Sequence, residues 1–153
     1  MSIFHGLNTS ASALTSQRLR MDVISANMAN AESTRARMVD GEWQPYRRKM
    51  VVMQPNEKQP FSAFLHQAMG RSTNSEIGHG VKVSAIVDDQ TPFKEMYDPE
   101  HPDANEEGYV QLPNVDPLRE MVDLMSATRS YEANVTTLNA SKNMLLKALE
   151  IGR

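Results

Sequence analysis

The sequence predicts a mainly α-helical fold in which a small β module separates two long terminal helices. Two observations support this class: apolar residues recur at alternating spacings of three and four at both ends, and the middle contains short alternating runs typical of strands. We expect an N-terminal heptad helix in residues 1–34, a linker and β-containing outer module in residues 35–115, and a C-terminal heptad helix in residues 116–153. The two helices should pair as a coiled-coil-like hairpin, with short β-hairpins and irregular loops between them.

The N-terminal helix is predicted from eight positions spaced alternately by three and four, six of them apolar. These positions are Phe4, Leu7, Ala11, Leu14, Arg18, Met21, Ser25 and Met28. A repeat that averages 3.5 residues indicates a coiled-coil seam. Asn30 and the polar run of residues 32–34 end the pattern.

The C-terminal helix follows the same repeat, with seven apolar residues in nine positions. These positions are Met121, Leu124, Thr128, Tyr131, Val135, Leu138, Lys142, Leu145 and Leu149. Asp116 offers an acceptor for a helix N-cap, and Pro117 suits the first helical position because its missing N–H costs nothing there. Gly152 lies just past the last seam residue, where a helix commonly ends.

Between the helices, residues 46–53 and 81–87 are predicted to be strands, the first with a basic start. Residues 93–97 and 109–112 are shorter strand candidates, separated by a turn-rich segment. Residues 54–80 have weak periodicity, and we interpret them as an extended or partly mobile loop.

Composition excludes several classes of function. The chain carries 16 basic and 19 acidic residues, a net charge of −3, which argues against a general nucleic-acid binder. It has no cysteine, which excludes disulfide frameworks, cysteine-ligated zinc and thiol catalysis. No apolar run approaches the roughly 18 residues needed to span a bilayer, so we expect no membrane insertion. The first residues lack the basic and apolar regions of a cleaved secretory signal.

Charge alternates along the chain in blocks. Residues 35–58 carry six basic and three acidic side chains, a net of +3. Residues 88–116 carry nine acidic side chains against Lys94 alone, a net of −8. Such alternation favours complementary protein surfaces over a substrate site.

The residues that usually carry chemistry form no recognisable site. His5, His66, His79 and His101 are scattered, and none has metal-ligand spacing to another histidine. The acidic run 98–107 does not match an EF-hand loop. We therefore expect no catalytic residue, no metal or other cofactor and no small-molecule substrate. A small metal-dependent hydrolase built on residues 98–107 stays open as an alternative.

Carboxamides on the helices point instead to interaction surfaces. Asn27 and Asn30 lie at i and i+3 on one helix face, and a carboxamide can both donate and accept hydrogen bonds. Asn134 repeats this chemistry in the second helix. The predicted inter-subunit or helix-seam residues are Leu7, Leu14, Met21, Asn27, Met28, Asn30, Met121, Leu124, Tyr131, Asn134, Val135, Leu138, Leu145 and Leu149.

Several short motifs along the chain are specific enough to indicate a protein family. Residues 26–34, Ala-Asn-Met-Ala-Asn-Ala-Glu-Ser-Thr, resemble the Asn-x-Ala-Asn-x-x-Thr signature near the N-terminus of flagellar rod and hook proteins. The Gly-Tyr that follows this signature in distal-rod and hook proteins is missing. The motifs that are instead similar to those of the proximal rod proteins are residues 41–49, 97–104, 108–110, 112–115 and 148–152.

The resemblance implies a structural subunit without catalytic activity. Rod proteins of this family pair their terminal helices in the inner layer of an axial tube, which transmits torque and through which flagellar export passes. The implied partners are other flagellar rod proteins, the adapter at the rod base, copies of the chain itself and the flagellar type III export apparatus. The implied location is the basal-body rod outside the cytoplasmic membrane, reached without a cleaved signal peptide. The alternative is a cytoplasmic coiled-coil adapter or a flagellar export chaperone, which would share the heptads.

Overall fold

The computed structural model describes residues 4–39, 41–56, 68–69 and 80–151 of the chain. It confirms the mainly helical class with a small β module. The elements in chain order are α1 (His5–Ala29), β1 (Arg37–Val39), β2 (Glu42–Gln44), β3 (Lys49–Pro55), β4 (Val81–Asp88), β5 (Lys94–Tyr97), β6 (Tyr109–Leu112) and α2 (Pro117–Ile151).

The described strands form three separate antiparallel pairs, β1 with β2, β3 with β4, and β5 with β6. In the longest pair Lys49 lies opposite Asp88 and Pro55 opposite Val81, with a bulge between Val52 and Met53. Each pair has only two strands, and such a pair is marginally stable by itself. The helices therefore have to supply the packing that holds the β module.

The two helices run antiparallel along each other. Near the end of α1, Asn27 bonds Glu120 of the first turn of α2, and further back the Met21 thioether accepts a hydrogen bond from Thr128. The same helix α1 also contacts β3 and β4. It therefore lies between α2 and the longest strand pair.

The fully buried side chains of α1 are small or polar apart from one isoleucine. They are Ser10, Ser16, Ile24 and Asn27. The predicted seam positions Phe4, Ala11, Arg18 and Ser25 are exposed. Small serines at the buried positions allow close packing against the helix backbone. The Ser16 hydroxyl is satisfied within the helix, since it donates to the Ser12 carbonyl at 2.9 Å.

The start of α2 confirms the predicted cap. The backbone N–H of Leu118 donates to Asp116 Oδ1 at 3.1 Å, and Pro117 is the first helical residue. Helix α1 ends at Ala29, where Asn30 donates to the Ala26 carbonyl from both its backbone and its side chain. The predicted stop at Gly152 lies outside the described residues.

Strand boundaries agree with the predictions where local pattern decides them. Residues 109–112 form a strand as predicted, and the 81–87 strand extends by one residue to Asp88. The strand predicted from residue 46 begins instead at Lys49, because the backbone N–H of Tyr46 donates to the Ser33 carbonyl and that of Arg48 to Asn114 Oδ1 rather than to a neighbouring strand. The predicted loop 54–80 overlaps the end of β3, and most of it lies outside the described residues.

The pair β1–β2 is absent from the predictions. Its strands have three residues each, too few to show an alternating pattern. The Asp40-Gly41 dipeptide is the signal that would have indicated it, since Asp-Gly is typical of two-residue hairpin turns.

Strand β4 begins at a close approach to α1. The Val81 backbone N–H donates to Ser12 Oγ at 3.1 Å. The preceding Gly80 has φ +98°, and a Cβ at this position would overlap the same Ser12 oxygen. Only glycine fits this position without moving the strand away from the helix.

We expect Gly80→Ala to lower the free energy of unfolding by about 2–4 kcal/mol. Alanine is strained at the positive φ of this position, and its Cβ would overlap the Ser12 hydroxyl oxygen. The measurement is urea unfolding followed by far-UV circular dichroism. Gly41→Ala is the matched control, since Gly41 has φ +90° but its added Cβ would meet nothing within 4 Å. Equal losses in the two variants would show that the contact with Ser12 contributes nothing.

Candidate functional site

A buried carboxamide lies where α1, α2 and the β module meet. Asn27 is 1% exposed and makes four hydrogen bonds, the full capacity of its side chain. Its Nδ2 donates to the Lys49 carbonyl at 2.9 Å and to Glu120 Oε2 at 3.0 Å. Its Oδ1 accepts from the Lys49 backbone N–H at 2.9 Å and from the Tyr46 hydroxyl at 3.0 Å. One side chain thus joins both helices to the first residue of β3.

The partner carboxylate on α2 is fully buried and paired with a guanidinium. Glu120 is 0% exposed, and its Oε1 accepts from Arg48 Nε at 2.7 Å. A second Arg48 nitrogen also lies 2.7 Å from that oxygen. Arg48 further lies 3.5 Å from Asp89 and 3.6 Å from Asp123. The buried charge of Glu120 is therefore compensated by a hydrogen-bonded cation.

The segment that precedes α2 is joined to the same cluster. The Arg48 backbone N–H donates to Asn114 Oδ1 at 2.8 Å. The Asn114 amide donates in turn to the carbonyls of Asp89 and Thr91, each at 3.2 Å. We call the group Asn27, Tyr46, Arg48, Asn114 and Glu120 the polar junction.

The junction shifts the pKa values of its members. Burial, then the nearby Asp88 and Glu120 carboxylates, raises the pKa of the Tyr46 hydroxyl. Burial lowers the pKa of Arg48, but the hydrogen bond and charge of Glu120, with Asp89, outweigh it and leave that pKa raised. The backbone N–H of Thr91 is the main cause that lowers the pKa of Asp89. Because the pKa values of Tyr46 and Arg48 are both raised, the Tyr46 hydroxyl keeps its proton and Arg48 keeps its charge. These are the states that their hydrogen bonds require.

A second, more exposed contact fixes the segment that follows α1. The Thr34 hydroxyl donates to Asp103 Oδ2 at 2.7 Å, and Arg35 forms an ion pair with the same carboxylate. The Asp103 backbone N–H donates to His101 Nδ1 at 3.1 Å. The Thr34 hydrogen bond is the largest cause that lowers the pKa of Asp103. Burial, the next largest effect, raises that pKa, and Arg35 adds to the lowering, so the pKa stays below its ordinary value. The turn 98–103 is thereby tied to the end of the N-terminal signature.

The first half of α2 carries an apolar strip that the chain does not cover. Leu118, Met121, Val122 and Met125 are all exposed, Leu118 at 75%. Their spacing of i, i+3, i+4 and i+7 places them on one helix face. We call these four residues the apolar strip. A contiguous exposed strip of this kind indicates a protein contact.

The last turns of α2 are also apolar and exposed. Their exposed large side chains are Met144, Leu146, Leu149 and Ile151, the last at 86%. Helix α1 has 25 residues and α2 has 35, lengths of about 37 and 52 Å. Since Asn27 lies opposite Glu120 in the antiparallel pair, α2 continues past the start of α1. We call residues 144–151 the overhang.

The predicted seam residues divide into two groups. Those that are buried or partly buried in the chain are Leu7, Leu14, Met21, Asn27, Met28, Asn30, Leu124, Tyr131, Asn134, Val135, Leu138 and Leu145. Met121 and Leu149 are exposed, in the apolar strip and the overhang. The contacts of these residues with other subunits stay a prediction.

Sequence reasoning misses most of the polar junction. The carboxamide of Asn27 stands out in the sequence, but Glu120 and Arg48 lie 93 and 72 residues from their partners. Nothing local marks Glu120 as buried, because an acidic residue in the first turn of a helix is ordinarily exposed.

Within the described part of the chain, no helix is long and apolar enough to cross a membrane. Among those same residues, no group of three or more histidine, aspartate or glutamate side chains is arranged to hold a metal ion. Residues 98–107 form turns, and within them the Asp103 carboxylate is bound by Thr34 and Arg35.

Two family models match the ends of the chain. The model described as "Flagella basal body rod protein" matches residues 7–37. The model described as "Flagellar basal body rod FlgEFG protein C-terminal" matches residues 106–151. The matched segments contain most of α1 and all of α2.

Curated proteins match over the full length. The chain is 62% identical over 153 residues to the flagellar basal-body rod protein FlgC of Bacillus subtilis, covering 100% of both chains. It is 43% identical to the protein of the same name from Borreliella burgdorferi, covering 99% of this chain and 98% of the other. It is 40% identical to that of Salmonella typhimurium, covering 100% of both.

We expect Asn27→Leu to lower the free energy of unfolding by about 3 kcal/mol, because it leaves the Lys49 backbone N–H and carbonyl without the Asn27 side chain as partner and removes the hydrogen bond to Glu120 Oε2. Urea unfolding measures the change. Asn30→Leu is the matched control, and its loss should stay below about 1 kcal/mol, since Asn30 bonds only within its own turn and to Ser33. Similar losses in both variants would contradict a special role for Asn27.

A pH dependence follows from Asp103. Because its folded pKa lies below the ordinary value of 3.8, its contacts stabilise the chain above that pH, and this contribution is lost as pH falls through the lower folded pKa. Asp103→Asn should therefore be less stable than the parent at neutral pH, and the difference should shrink below about pH 4. Thermal unfolding at several pH values measures it. Glu106→Gln serves as the control, and a gap that stays constant across the pH range would refute the assignment.

Proposed function

This chain belongs to the flagellar basal-body rod protein family, and we propose that it builds the proximal part of the rod through its terminal helices. It is a structural subunit of the flagellar basal-body rod. The observation that carries this conclusion is the 62% identity, over both chains in full, to a protein named as a flagellar basal-body rod protein. The two family models reinforce it, since they fall on the helical ends that a tubular assembly would use.

The apolar strip and the overhang are the surfaces we propose for contact with neighbouring subunits. Both are exposed in the folded chain, and both lie on the helix that the C-terminal family model covers. Burying a side chain such as leucine or methionine stabilises a contact by roughly 1.5–3 kcal/mol. Eight large apolar side chains in two groups are enough to drive association once neighbours cover them.

We propose that α1 and α2 pair as a coiled-coil-like hairpin in the inner layer of the tube. Their antiparallel contact within one chain supports this, together with the partial burial of Leu7, Leu14 and Met21 on α1 and of Leu138 on α2. The predicted seam residues would then contact the partner helix of the same chain along one side and neighbouring subunits along the other.

The remaining assignments rest on the motifs shared with proximal rod proteins. We propose that the partners are copies of this chain, other rod proteins and the adapter at the rod base. The location would be the rod outside the cytoplasmic membrane, reached through the flagellar type III export apparatus without a cleaved signal peptide. In that position the chain transmits torque and surrounds the path of exported subunits.

The test places a charge in the apolar strip. In a strain without its own copy, the double variant Val122→Asp/Met125→Asp should abolish swimming and leave no chain in purified basal bodies, because a carboxylate desolvated in an apolar contact costs several kcal/mol. Both positions are exposed, so the purified variant should keep the helical circular dichroism of the parent.

The matched control is Thr136→Asp/Thr137→Asp, the same two charges at exposed polar positions of α2, which should still support swimming. Normal swimming of the double variant would refute the strip as an assembly surface. Recovery of the parent chain from the cytoplasm alone, with none in basal bodies, would favour an adapter or chaperone and contradict the proposed function.

A further inference from the structure

A basic groove runs beside the polar junction. It has a volume of about 320 Å³ and is lined by the β1–β2 pair on one side and by the ends of β3 and β4 on the other. The lining residues with charged side chains are Arg37, Arg47, Lys49 and Asp88, a net charge of +2. The uncharged lining residues are Ala36, Gln44, buried Pro45 and the junction residue Tyr46. We call this the basic groove.

The positive charges of the groove are not neutralised by ion pairs among the described residues. Within the described residues, Arg37 and Lys49 form no ion pair, and both are exposed. Arg47 is positioned rather than neutralised: its guanidinium lies 4.6 Å from the centre of the Phe93 ring and 3.5 Å from the Asp89 carbonyl. The groove is therefore a preformed positive surface.

The chain also presents a matching negative surface. Residues 98–107 contain five acidic residues and no lysine or arginine. Asp98 accepts from the Glu100 backbone N–H, and Asp103 is bound by Thr34 and Arg35. The side chains of Glu100, Glu106 and Glu107 are exposed and have no cationic partner among the described residues.

The turn that carries these carboxylates is held by hydrogen bonds to Asn105. Asn105 Oδ1 accepts from the backbone N–H groups of Glu107 and Tyr109, at 3.1 and 2.8 Å. The Gly108 backbone N–H donates to the Asn105 carbonyl at 2.9 Å. Glu106 and Glu107 are thus exposed on a hydrogen-bonded turn, which lowers the backbone entropy that docking them would cost.

We infer that the basic groove of one subunit binds the acidic turn 98–107 of a second copy of this chain. Three carboxylates then face three cations across the contact, and among the described residues of a single chain none of the six has an ion-pair partner. The inference rests on the proposed function, because only an assembly brings a second copy to the groove. Since groove and turn are different patches, the contact is heterologous and propagates in one direction instead of closing into a two-fold dimer.

The first experiment is a charge swap in a strain without its own copy. Arg37→Glu/Lys49→Glu should lower the amount of chain in purified basal bodies at least ten-fold, and Glu106→Lys/Glu107→Lys should do the same, because each places like charges across the contact. All four substitutions combined in one chain should restore incorporation to within about two-fold of the parent. Lys82→Glu with Glu132→Lys, two exposed charges outside groove and turn, is the control and should incorporate normally.

The second experiment is cross-linking between introduced cysteines. Because the chain has no cysteine of its own, no other thiol of the chain can react. Chains with Lys49→Cys and chains with Glu106→Cys are produced together and treated with a short thiol-specific cross-linker. A cross-linked pair containing one chain of each kind is expected in basal bodies, at least ten-fold above the pair formed when Lys82→Cys replaces Lys49→Cys.

The outcomes separate the inference from the function on which it rests. Normal incorporation of both reversed variants would overturn the groove contact, while the rod function stands. Loss in both variants without rescue by the combined chain would overturn the second copy as the occupant. Absence of even the parent chain from basal bodies would overturn the proposed function itself.

Discussion

The fold depends on one buried carboxamide whose hydrogen bonds are all used. Asn27 contacts the backbone of Lys49, the hydroxyl of Tyr46 and the carboxylate of Glu120. These partners tie α1 to both α2 and β3, so the geometry of the three elements is fixed at a single point. Because a buried polar group without a partner costs about 1–3 kcal/mol or more, the three elements have to take these positions together.

The junction also explains how short strand pairs are held. None of the described pairs has a third strand, and their apolar residues Val52, Ile86 and Met96 are exposed. Contacts at its edges hold the β module instead. Arg48 donates to Glu120, and the Val81 backbone N–H at the start of β4 donates to the Ser12 hydroxyl oxygen. A module attached in this way keeps its outer faces free for other chains.

The elements that local chemistry controls could be predicted from the sequence. The Asp116–Pro117 cap, the strand at residues 109–112 and the helical periodicity of both ends follow from neighbouring residues alone. The polar junction could not be predicted, because Glu120 is indistinguishable in sequence from an ordinary exposed acid. Its burial depends on Arg48 and Asn27, which only the folded chain brings to it. The buried face of α1 could not be predicted either, because two of its four buried residues are serines and a hydrophobic pattern does not include serine.

The unequal lengths of the helices have a geometric consequence for any stack of these subunits. Since α2 exceeds α1 by about 15 Å, two copies placed end to end cannot meet flush. In such a stack the protruding end of α2 in one copy would have to lie beside the next copy. The difference in helix length would then set the smallest axial offset between the two copies. Such interleaving would spread each joint along the length of the overlap, so that a twisting load would pass between helices lying side by side rather than across a flat plane.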